Sequence, residues 1–317
     1  MRRAMLGVLV AAVAVTSGCG GRVTGEATVP RAFDPCTLID VGKLKSDGVI
    51  KGDFGLSRDV DPVDGRSDWC HAGVRGVSPV SVGVVVGQLF SSIDALVPSK
   101  RHQVSVGSDK GVIGTTEISG TSTLAVKHGD VQLMVTNSSL GDLLGKPLDE
   151  AGLVAVAQDM IGKLPQSIPD APRDVPPLCD RIQGIRPLIG AVSLARGRAT
   201  DAMTSCDFVS DSKHLLMTVT FTKADSESAN DFKTDNSSAR LTLIPAPLFP
   251  GTISRGHRDG MGLNVETLVD DHVLVSTYYT PLRYGGDKYG TVTPGKTIGP
   301  DDRTLISSAI DLARTLK

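Results

Sequence analysis

The sequence shows two patterns of hydrophobic and polar residues, one typical of strands and one typical of helices. Each pattern is found in both halves of the chain. β-Branched residues dominate Val80–Val86 and Leu215–Phe221, which predicts strands. Apolar residues recur at helical spacing in two later segments, which predicts amphipathic helices that pack on a sheet. The positions are Val154, Ala157, Ile161 and Leu164 in the first half, and Ile306, Ala309, Ala313 and Leu316 in the second.

Other elements repeat in the same order. Short helices are predicted over Val41–Leu44 and Ile182–Leu188, and hairpins over Leu124–Val135 and Leu263–Tyr279. Each long helix opens on a proline followed by carboxylates, at Pro147 and at Pro300, where the helix dipole favours negative charge. We therefore predict an α+β fold of two tandem domains, each an antiparallel sheet packed by an early helix and a C-terminal helix, with one disulfide.

A proline-rich segment separates the halves. Residues 165–177 hold five prolines in thirteen positions, which favours an extended, semi-rigid spacer. The expected organisation is a signal peptide at 1–18, a lipidated cysteine and tether at 19–32, a first α+β domain at 33–165, a linker at 166–175 and a second α+β domain at 176–317.

The N-terminus is typical of a bacterial lipoprotein. Arg2 and Arg3 precede an apolar run that ends at Val15, and small residues lead to Cys19. In such proteins this cysteine is diacylated and becomes the new N-terminus. The alternative is an ordinary signal peptide cut near Gly18 with an incidental cysteine, and Thr16 stands where lipoproteins more often carry Leu. The pattern predicts a lipid anchor in the outer leaflet of the cytoplasmic membrane, with the protein on its extracytoplasmic face.

The other cysteines divide between the halves. Cys36 and Cys70 lie in the first, Cys179 and Cys206 in the second. Outside the cytosol four thiols indicate two disulfides, with three connectivities available. Pairing within each half is favoured, because each bridge then lies inside one repeat and closes a loop worth about 3.5–4 kcal/mol. A four-cysteine zinc site needs ligands about two to four residues apart, and this spacing does not occur.

The composition of the chain limits the classes of partner that we expect it to bind. The chain has 33 Lys and Arg against 35 Asp and Glu, a net charge of −2, which gives no footprint for nucleic acid. No run of about 18 apolar residues follows Cys19, so a second membrane segment is not expected. Aromatic residues make up 4 % of the chain, so stacking platforms for sugars are scarce.

Several short motifs match known functional sites, but the residues around them do not support the function. Gly290–Thr297 fits a phosphate-loop pattern, but Pro294 removes a donor and Pro300 follows too soon for the required helix. Asp59–Gly65 has the spacing of a calcium loop with one residue too many. Ser210–Lys213 matches S-x-x-K without its companion motifs. The six histidines are scattered, and we predict no metal and no cofactor.

The first domain opens with Asp34–Leu38, which follows the tether and the lipobox, the segment Val15–Cys19 that ends at the lipidated cysteine. This combination resembles actinobacterial lipoproteins that carry a domain of unknown function with one internal disulfide. Trp69-Cys70 and Ser205–Phe208 resemble the second-cysteine region of that family, while Leu178 departs from the proline expected before its cysteine. The resemblance implies an envelope location in a mycobacterium-like organism and no activity. A looser similarity is to extracellular sensor domains of actinobacterial serine/threonine kinases, although this sequence has no kinase portion.

A tyrosine cluster is the candidate contact surface. All four tyrosines of the chain fall within twelve positions, among glycines and cations, and Tyr and Arg are favoured at binding hot spots. The alternative is a strand end whose tyrosines cover the edge of the core. The candidate residues are Tyr278, Tyr279, Arg283, Tyr284 and Tyr289.

These observations favour a non-catalytic envelope module that binds a small ligand or a partner protein, as a sensor or accessory lipoprotein. A duplicated domain can form a cleft between its copies, and such junctions are common ligand sites. Two alternatives stay open. One is an envelope hydrolase whose serine, histidine and aspartate come from distant positions, and the other is a structural wall protein.

The Cys19 prediction can be tested by metabolic labelling with an alkyne fatty acid. We expect the wild-type chain to be labelled and Cys19→Ala not, because the thiol is the acylated group. Equal labelling of both chains would contradict a lipid anchor at this residue.

Overall fold

The computed structural model describes most of the chain after residue 31. The signal segment, Cys19 and the tether lie outside the described residues. The described ranges are 32–51, 55–61, 65–74, 77–86, 93–97, 100–115, 121–138, 145–165, 168, 171–234, 242–243, 252–259, 262–282 and 298–316.

The first half forms a seven-stranded antiparallel sheet with the order β1-β2-β3-β7-β6-β5-β4. Its helices are α1 (Val41–Ser46) and α2 (Glu150–Lys163), with 3₁₀ turns at Pro35–Leu38 and Ile93–Leu96. Its strands are β1 (Gly55–Val60), β2 (Asp68–Val74), β3 (Val77–Val86), β4 (His102–Val106), β5 (Asp109–Thr115), β6 (Ser122–His128) and β7 (Val131–Asn137).

The second half forms an eight-stranded sheet with the order β12-β13-β14-β15-β11-β10-β9-β8, in which only the β8–β9 pair is parallel. Its helices are α3 (Ile185–Ile189), α4 (Ser226–Thr234) and α5 (Pro300–Ala313), with a 3₁₀ turn at Cys179–Arg181. Its strands are β8 (Arg173–Asp174), β9 (Leu194–Ala199), β10 (Met203–Ser210), β11 (Leu215–Lys223), β12 (Thr242–Leu243), β13 (Thr252–Asp259), β14 (Gly262–Val269) and β15 (Val273–Pro281).

Each sheet buries one face under helices, as the alternating pattern requires. In the first half α2 packs Leu153, Ala157 and Met160 against this face. In the second half α3 and α5 cover the corresponding face, with Leu305 and Ala309 of α5 fully buried. The described helices thus cover separate sheets, and the α+β class holds.

Both expected disulfides are present. Cys36 bonds Cys70 and ties the first 3₁₀ turn to β2, while Cys179 bonds Cys206 and ties the third 3₁₀ turn to β10. Each bridge lies beneath the helix-covered face of its own sheet, among buried residues.

The helix starts differ from the sequence prediction in two places. Helix α2 begins at Glu150 rather than near Pro147, because the Asp149 carboxylate accepts a hydrogen bond from the Gly152 N–H and caps the helix there. Helix α3 begins at Ile185 rather than Ile182. By contrast, α5 begins at Pro300 as predicted.

The buried stripe of α2 is also rotated from the predicted one. Ala157 and Leu164 of the predicted stripe are buried, whereas Val154 and Ile161 are only partly covered. Leu153 and Met160 are buried instead of these two. In α5 the predicted Ile306, Ala309 and Ala313 are buried, and further apolar residues widen the stripe. The expected period was right, but it does not fix which side of a mostly apolar helix faces the sheet.

The two sheets belong to one compact unit, Arg31–Lys317. The spacer expected between the halves is part of this unit where it is described. Ala171 is buried, and Arg173–Asp174 forms the edge strand β8 beside β9. The described end of the spacer therefore packs on the second sheet.

Candidate functional site

The halves meet where β1, the edge strand of the first sheet, lies on β9 and β10 of the second. An exposed strand edge offers unpaired backbone groups, and side chains of β10 pair with two of them. The Asp207 carboxylate accepts a hydrogen bond from the Val60 N–H at 2.7 Å. The Ser205 hydroxyl donates to the Arg58 carbonyl oxygen at 3.0 Å. The face of one sheet thereby closes the edge of the other.

Arginine–aspartate pairs fasten the same contact. Arg58 is buried and donates two parallel hydrogen bonds to the Asp68 carboxylate, from Nε at 2.9 Å and from Nη2 at 2.6 Å. Its Nη1 donates to Asp174 of β8 at 2.8 Å. Arg196 of β9 donates to the same Asp68 carboxylate at 2.9 Å. Because these groups already satisfy one another, we assign them to holding the halves together rather than to binding a ligand.

Asp207 is the unusual acid of the junction. It is 1 % exposed, and this burial, with the nearby charges of Asp59 and Asp68, raises its pKa to about 7. Hydrogen bonds from the Val60 N–H and the Thr218 hydroxyl oppose the rise without cancelling it. Asp207 therefore changes its charge near neutral pH.

A hydrogen-bonded chain of Asp59, His71 and Ser81 crosses the other face of the first sheet. The His71 Nε2 lies 2.9 Å from Asp59 Oδ1, and its Nδ1 lies 2.6 Å from Ser81 Oγ. Trp69 stacks on the imidazole with ring centroids 5.9 Å apart. Burial lowers the pKa of His71, but the hydrogen bond and charge of Asp59, with the charge of Asp61, outweigh it and leave the pKa raised.

The order Asp–His–Ser is that of a serine-hydrolase triad, but the two ring nitrogens of the histidine are exchanged and the serine is not exposed. Ser81 is 5 % exposed and lies on β3 between two paired strands, so its own backbone takes part in the sheet. The Asp59 side chain is the most exposed of the three. A hydrolase needs the serine open to substrate and donors aimed at the developing oxyanion. The arrangement therefore holds the His71 ring in place but does not expose Ser81 as a nucleophile.

The second sheet carries a polar patch on the face opposite its core. Strand register places two rows of polar side chains across β11, β15 and β14, all of them half-buried. The rows are bordered by β9 and β10, on which β1 packs, and at one end by the apolar cluster of α4. The patch residues are Thr218, Tyr278 and Asn264 in one row, and Thr220, Ser276 and Glu266 in the other.

Asn264 distinguishes this patch from an ordinary solvated face. Its side-chain Oδ1 is buried and has no hydrogen-bond partner among the described residues. Buried acceptors are nearly always paired, and an unpaired one calls for a missing partner. The polar patch therefore contains at least one acceptor that lacks a partner within the described structure.

The predicted tyrosine cluster is divided by the strand. Tyr278 lies on the polar patch, whereas Tyr279 points to the opposite face, is 6 % exposed and donates from its hydroxyl to Asp302 at 3.2 Å. We therefore remove Tyr279 from the contact surface, because it belongs to the core. The other expected members, Arg283, Tyr284 and Tyr289, lie outside the described residues.

A groove of about 940 Å³ lies on the other side of the second sheet, between the third 3₁₀ turn and α5. No local sequence pattern marks this groove, because its two walls are more than a hundred residues apart. The lining residues are Asp180, Arg181, Ile182, Gln183, Arg303, Thr304, Ser307, Ser308, Asp311, Leu312 and Thr315.

The alternating polar positions of β11, β14 and β15 were a signal for the polar patch that the sequence analysis did not use. Within the described ranges, no helix is long and apolar enough to cross a membrane. The same ranges hold no group of three or more acidic, histidine or cysteine side chains placed to bind a metal ion. The rejected phosphate-loop motif at 290–297 lies outside them.

Comparison with protein-family models, with curated proteins and with solved structures finds no match to the chain.

The pKa of Asp207 predicts how stability depends on pH. An unfolded aspartate ionises near 3.8, whereas the folded group ionises near 7. A raised folded pKa means that its stabilisation is complete below the unfolded value and is lost as the pH rises through the folded one. His71 acts in the same direction, because its folded pKa is raised as well.

We expect the free energy of unfolding to fall between about pH 4 and about pH 8, with Asp207 contributing on the order of 4 kcal/mol. Asp207→Asn should remove most of this slope, since the uncharged amide can still accept from the Val60 N–H through its oxygen and donate from its NH2 to the Thr218 hydroxyl. Urea unfolding at several pH values measures it. Equal slopes for wild type and variant would contradict the assignment to Asp207.

Proposed function

We propose that this protein is an extracytoplasmic lipoprotein, anchored by acylated Cys19 in the outer leaflet of the cytoplasmic membrane. The lipobox-like sequence supports the anchor. Two disulfides support a location outside the reducing cytosol. Kinship with the actinobacterial lipoproteins named above is part of the same proposal and rests on the motif Asp34–Leu38.

The tandem organisation belongs to this proposal too. Each half has its own sheet, its own disulfide and a late helix on the same face as that disulfide, which supports two diverged copies of one domain. In this view the copies lie at about 33–165 and 176–317, and the buried contact between β1 and β9–β10 joins them.

The proposed activity is non-catalytic binding, as a sensor or accessory module of the envelope. The observation that carries it is the polar patch, in which the buried Asn264 Oδ1 has no partner among the described residues and lies beside the half-buried Tyr278. Hydroxyl, amide and carboxylate groups on one face suit a polar small molecule or a polar segment of an envelope protein. Neither nucleic acid nor a cofactor is part of the proposal.

The binding proposal can be tested by ligand capture. The full chain is immobilised, exposed to envelope extract, and the retained small molecules and proteins are identified by mass spectrometry. We expect one ligand to be retained by wild type and to bind at least about tenfold more weakly to Tyr278→Ala and Asn264→Ala, the equivalent of one or two hydrogen bonds.

Lys110→Ala is the matched control, because Lys110 is an exposed residue of β5 in the other sheet. It should bind as wild type does. A ligand held equally well by all four chains does not occupy the polar patch, and the absence of any ligand would favour a structural role in the wall.

A hydrolase is the second candidate, and the Asp59–His71–Ser81 chain favours it. The buried indole N–H of Trp69 adds to the case, since it has no partner among the described residues and a substrate oxygen would satisfy it. Ser81 would attack an ester carbonyl and pass its proton through His71 to the leaving alcohol, and water would then release the acyl group. The burial of Ser81 ranks this candidate second.

A fluorophosphonate probe separates the two candidates, because it modifies only an activated serine. We expect no labelling that depends on Ser81, since its hydroxyl is buried on a central strand. Labelling that disappears in Ser81→Ala and weakens in Asp59→Asn would decide for the hydrolase, whereas labelling retained in Ser81→Ala comes from another site.

A further inference from the structure

The groove beside α5 has fixed walls. One wall is the turn Cys179–Arg181 with the residues that follow it, and the other is the outward face of α5. The Gln183 N–H donates to the Ser308 hydroxyl at 2.9 Å and links the walls. Gly184 has a φ of 85°, and a Cβ there would lie 2.7 Å from the backbone N of Leu305. The turn thus touches the helix backbone, so a ligand meets a preformed site.

Two arginines line this groove, and neither has an ion-pair partner among the described residues. Arg181 comes from the turn and Arg303 from the first turn of α5. Within the described part of the chain, no acidic side chain binds either guanidinium. Within the described ranges, the groove therefore carries two guanidinium charges that no carboxylate pairs, in a chain whose net charge is −2.

The acidic residues at the groove do not cancel these charges. Asp180 is paired with Arg173, which comes from the edge strand β8. Asp311 is paired with Arg314, three residues further along the same helix. Each carboxylate is therefore neutralised by an arginine that does not line the groove.

Neutral polar groups stand beside the two cations. Ser307, one turn after Arg303, has a hydroxyl with no partner among the described residues. The Thr304 hydroxyl donates to the Pro300 carbonyl oxygen and keeps its lone pairs available. The side chain of Gln183 adds an amide. These groups suit a ligand that carries hydroxyls as well as an anion.

We propose that this groove binds the phosphate group of a hydroxyl-bearing small molecule, with Arg181 and Arg303 on the phosphate oxygens. A phosphate offers three or four acceptor oxygens in different directions, so both walls can donate to it at once, whereas a carboxylate presents only two in one plane. The groove of about 940 Å³ is far larger than phosphate alone. This site lies across the sheet from the polar patch and is independent of the binding function proposed there.

Isothermal titration calorimetry on the full chain tests the proposal with glucose 6-phosphate, glucose and glucuronate. We expect glucose 6-phosphate to bind, with an affinity that falls as salt is added. Glucose and glucuronate should bind at least about tenfold more weakly, since one lacks the anion and the other lacks the third oxygen. Equal binding of glucuronate would overturn the phosphate assignment. The site itself would be overturned if neither glucose 6-phosphate nor a short-chain phosphatidic acid binds.

Dihexanoylphosphatidic acid, used below its micelle concentration, distinguishes a lipid phosphate from a soluble one. Binding of this lipid in place of the sugar phosphate would keep the phosphate chemistry and identify a membrane lipid as its source. The double variant Arg181→Gln with Arg303→Gln should lose at least about tenfold in affinity for whichever phosphate binds.

Arg186→Gln is the matched control, because Arg186 is an exposed arginine of α3 in the same half and does not line the groove. Its affinity should equal that of wild type. Equal affinity in the double variant, or an equal loss in the control, would show that the phosphate binds elsewhere. Loss of the polar-patch ligand in Tyr278→Ala, with phosphate binding intact, would show that the two sites are separate.

Discussion

The buried pair between Arg58 and Asp68 holds the rest of the structure in place. Removing two charges from water is costly, and the cost is met only if every donor and acceptor finds a partner. Here the Asp68 carboxylate accepts two hydrogen bonds from Arg58 and one from Arg196. The Nη1 of Arg58 donates to Asp174. Breaking such a pair by removing one partner costs about 3–5 kcal/mol, because a buried charge is left behind.

The same network fixes how the halves are joined. Its members come from β1, β2, β8 and β9, so the bonds form only when the edge of the first sheet and the outer face of the second are correctly aligned. An apolar contact would tolerate sliding, whereas a displaced arginine would leave a carboxylate unpaired. The apolar cluster of Val60, Val209, Leu216 and Leu282 beside the network adds burial without this directional demand.

The network also decides which surfaces remain for function. Its side chains are satisfied internally, so they are unavailable to a ligand. β1 lies on β9 and β10 of the outer face, and the polar side chains of β11, β14 and β15 remain half-buried beside them. The polar patch is thus the part of this face that the junction does not use.

Local patterns were enough to predict a good part of this fold. The hairpins at β6–β7 and β14–β15, the helix at Pro300 and both disulfides follow from periodicity, turn residues and cysteine spacing, which act over short stretches of chain. The shifted start of α2 shows the limit of this approach, because Pro147 signalled an earlier start, whereas the Asp149 carboxylate caps the helix and makes Glu150 its first residue.

The junction could not be predicted in this way. Val60 and Asp207 are 147 positions apart, and Arg58 and Asp174 are 116 apart. In the sequence Arg58, Asp174 and Asp207 look like ordinary surface residues, because no neighbouring residue indicates their distant partners. The tyrosines differ, because two consecutive strand residues must face opposite ways. Strand alternation alone therefore separates Tyr278 from Tyr279.

That alternation also links the two proposed sites. Tyr278 lies on the polar patch, and the next residue, Tyr279, crosses the core and donates to Asp302. Asp302 in turn accepts the Gly299 N–H and so caps α5, one residue before Arg303 of the groove. The sites occupy opposite sides of one sheet, so their ligands do not compete for space. An effect of one site on the other by this route has to displace β15 or the first turn of α5, and both are held by the same buried carboxylate.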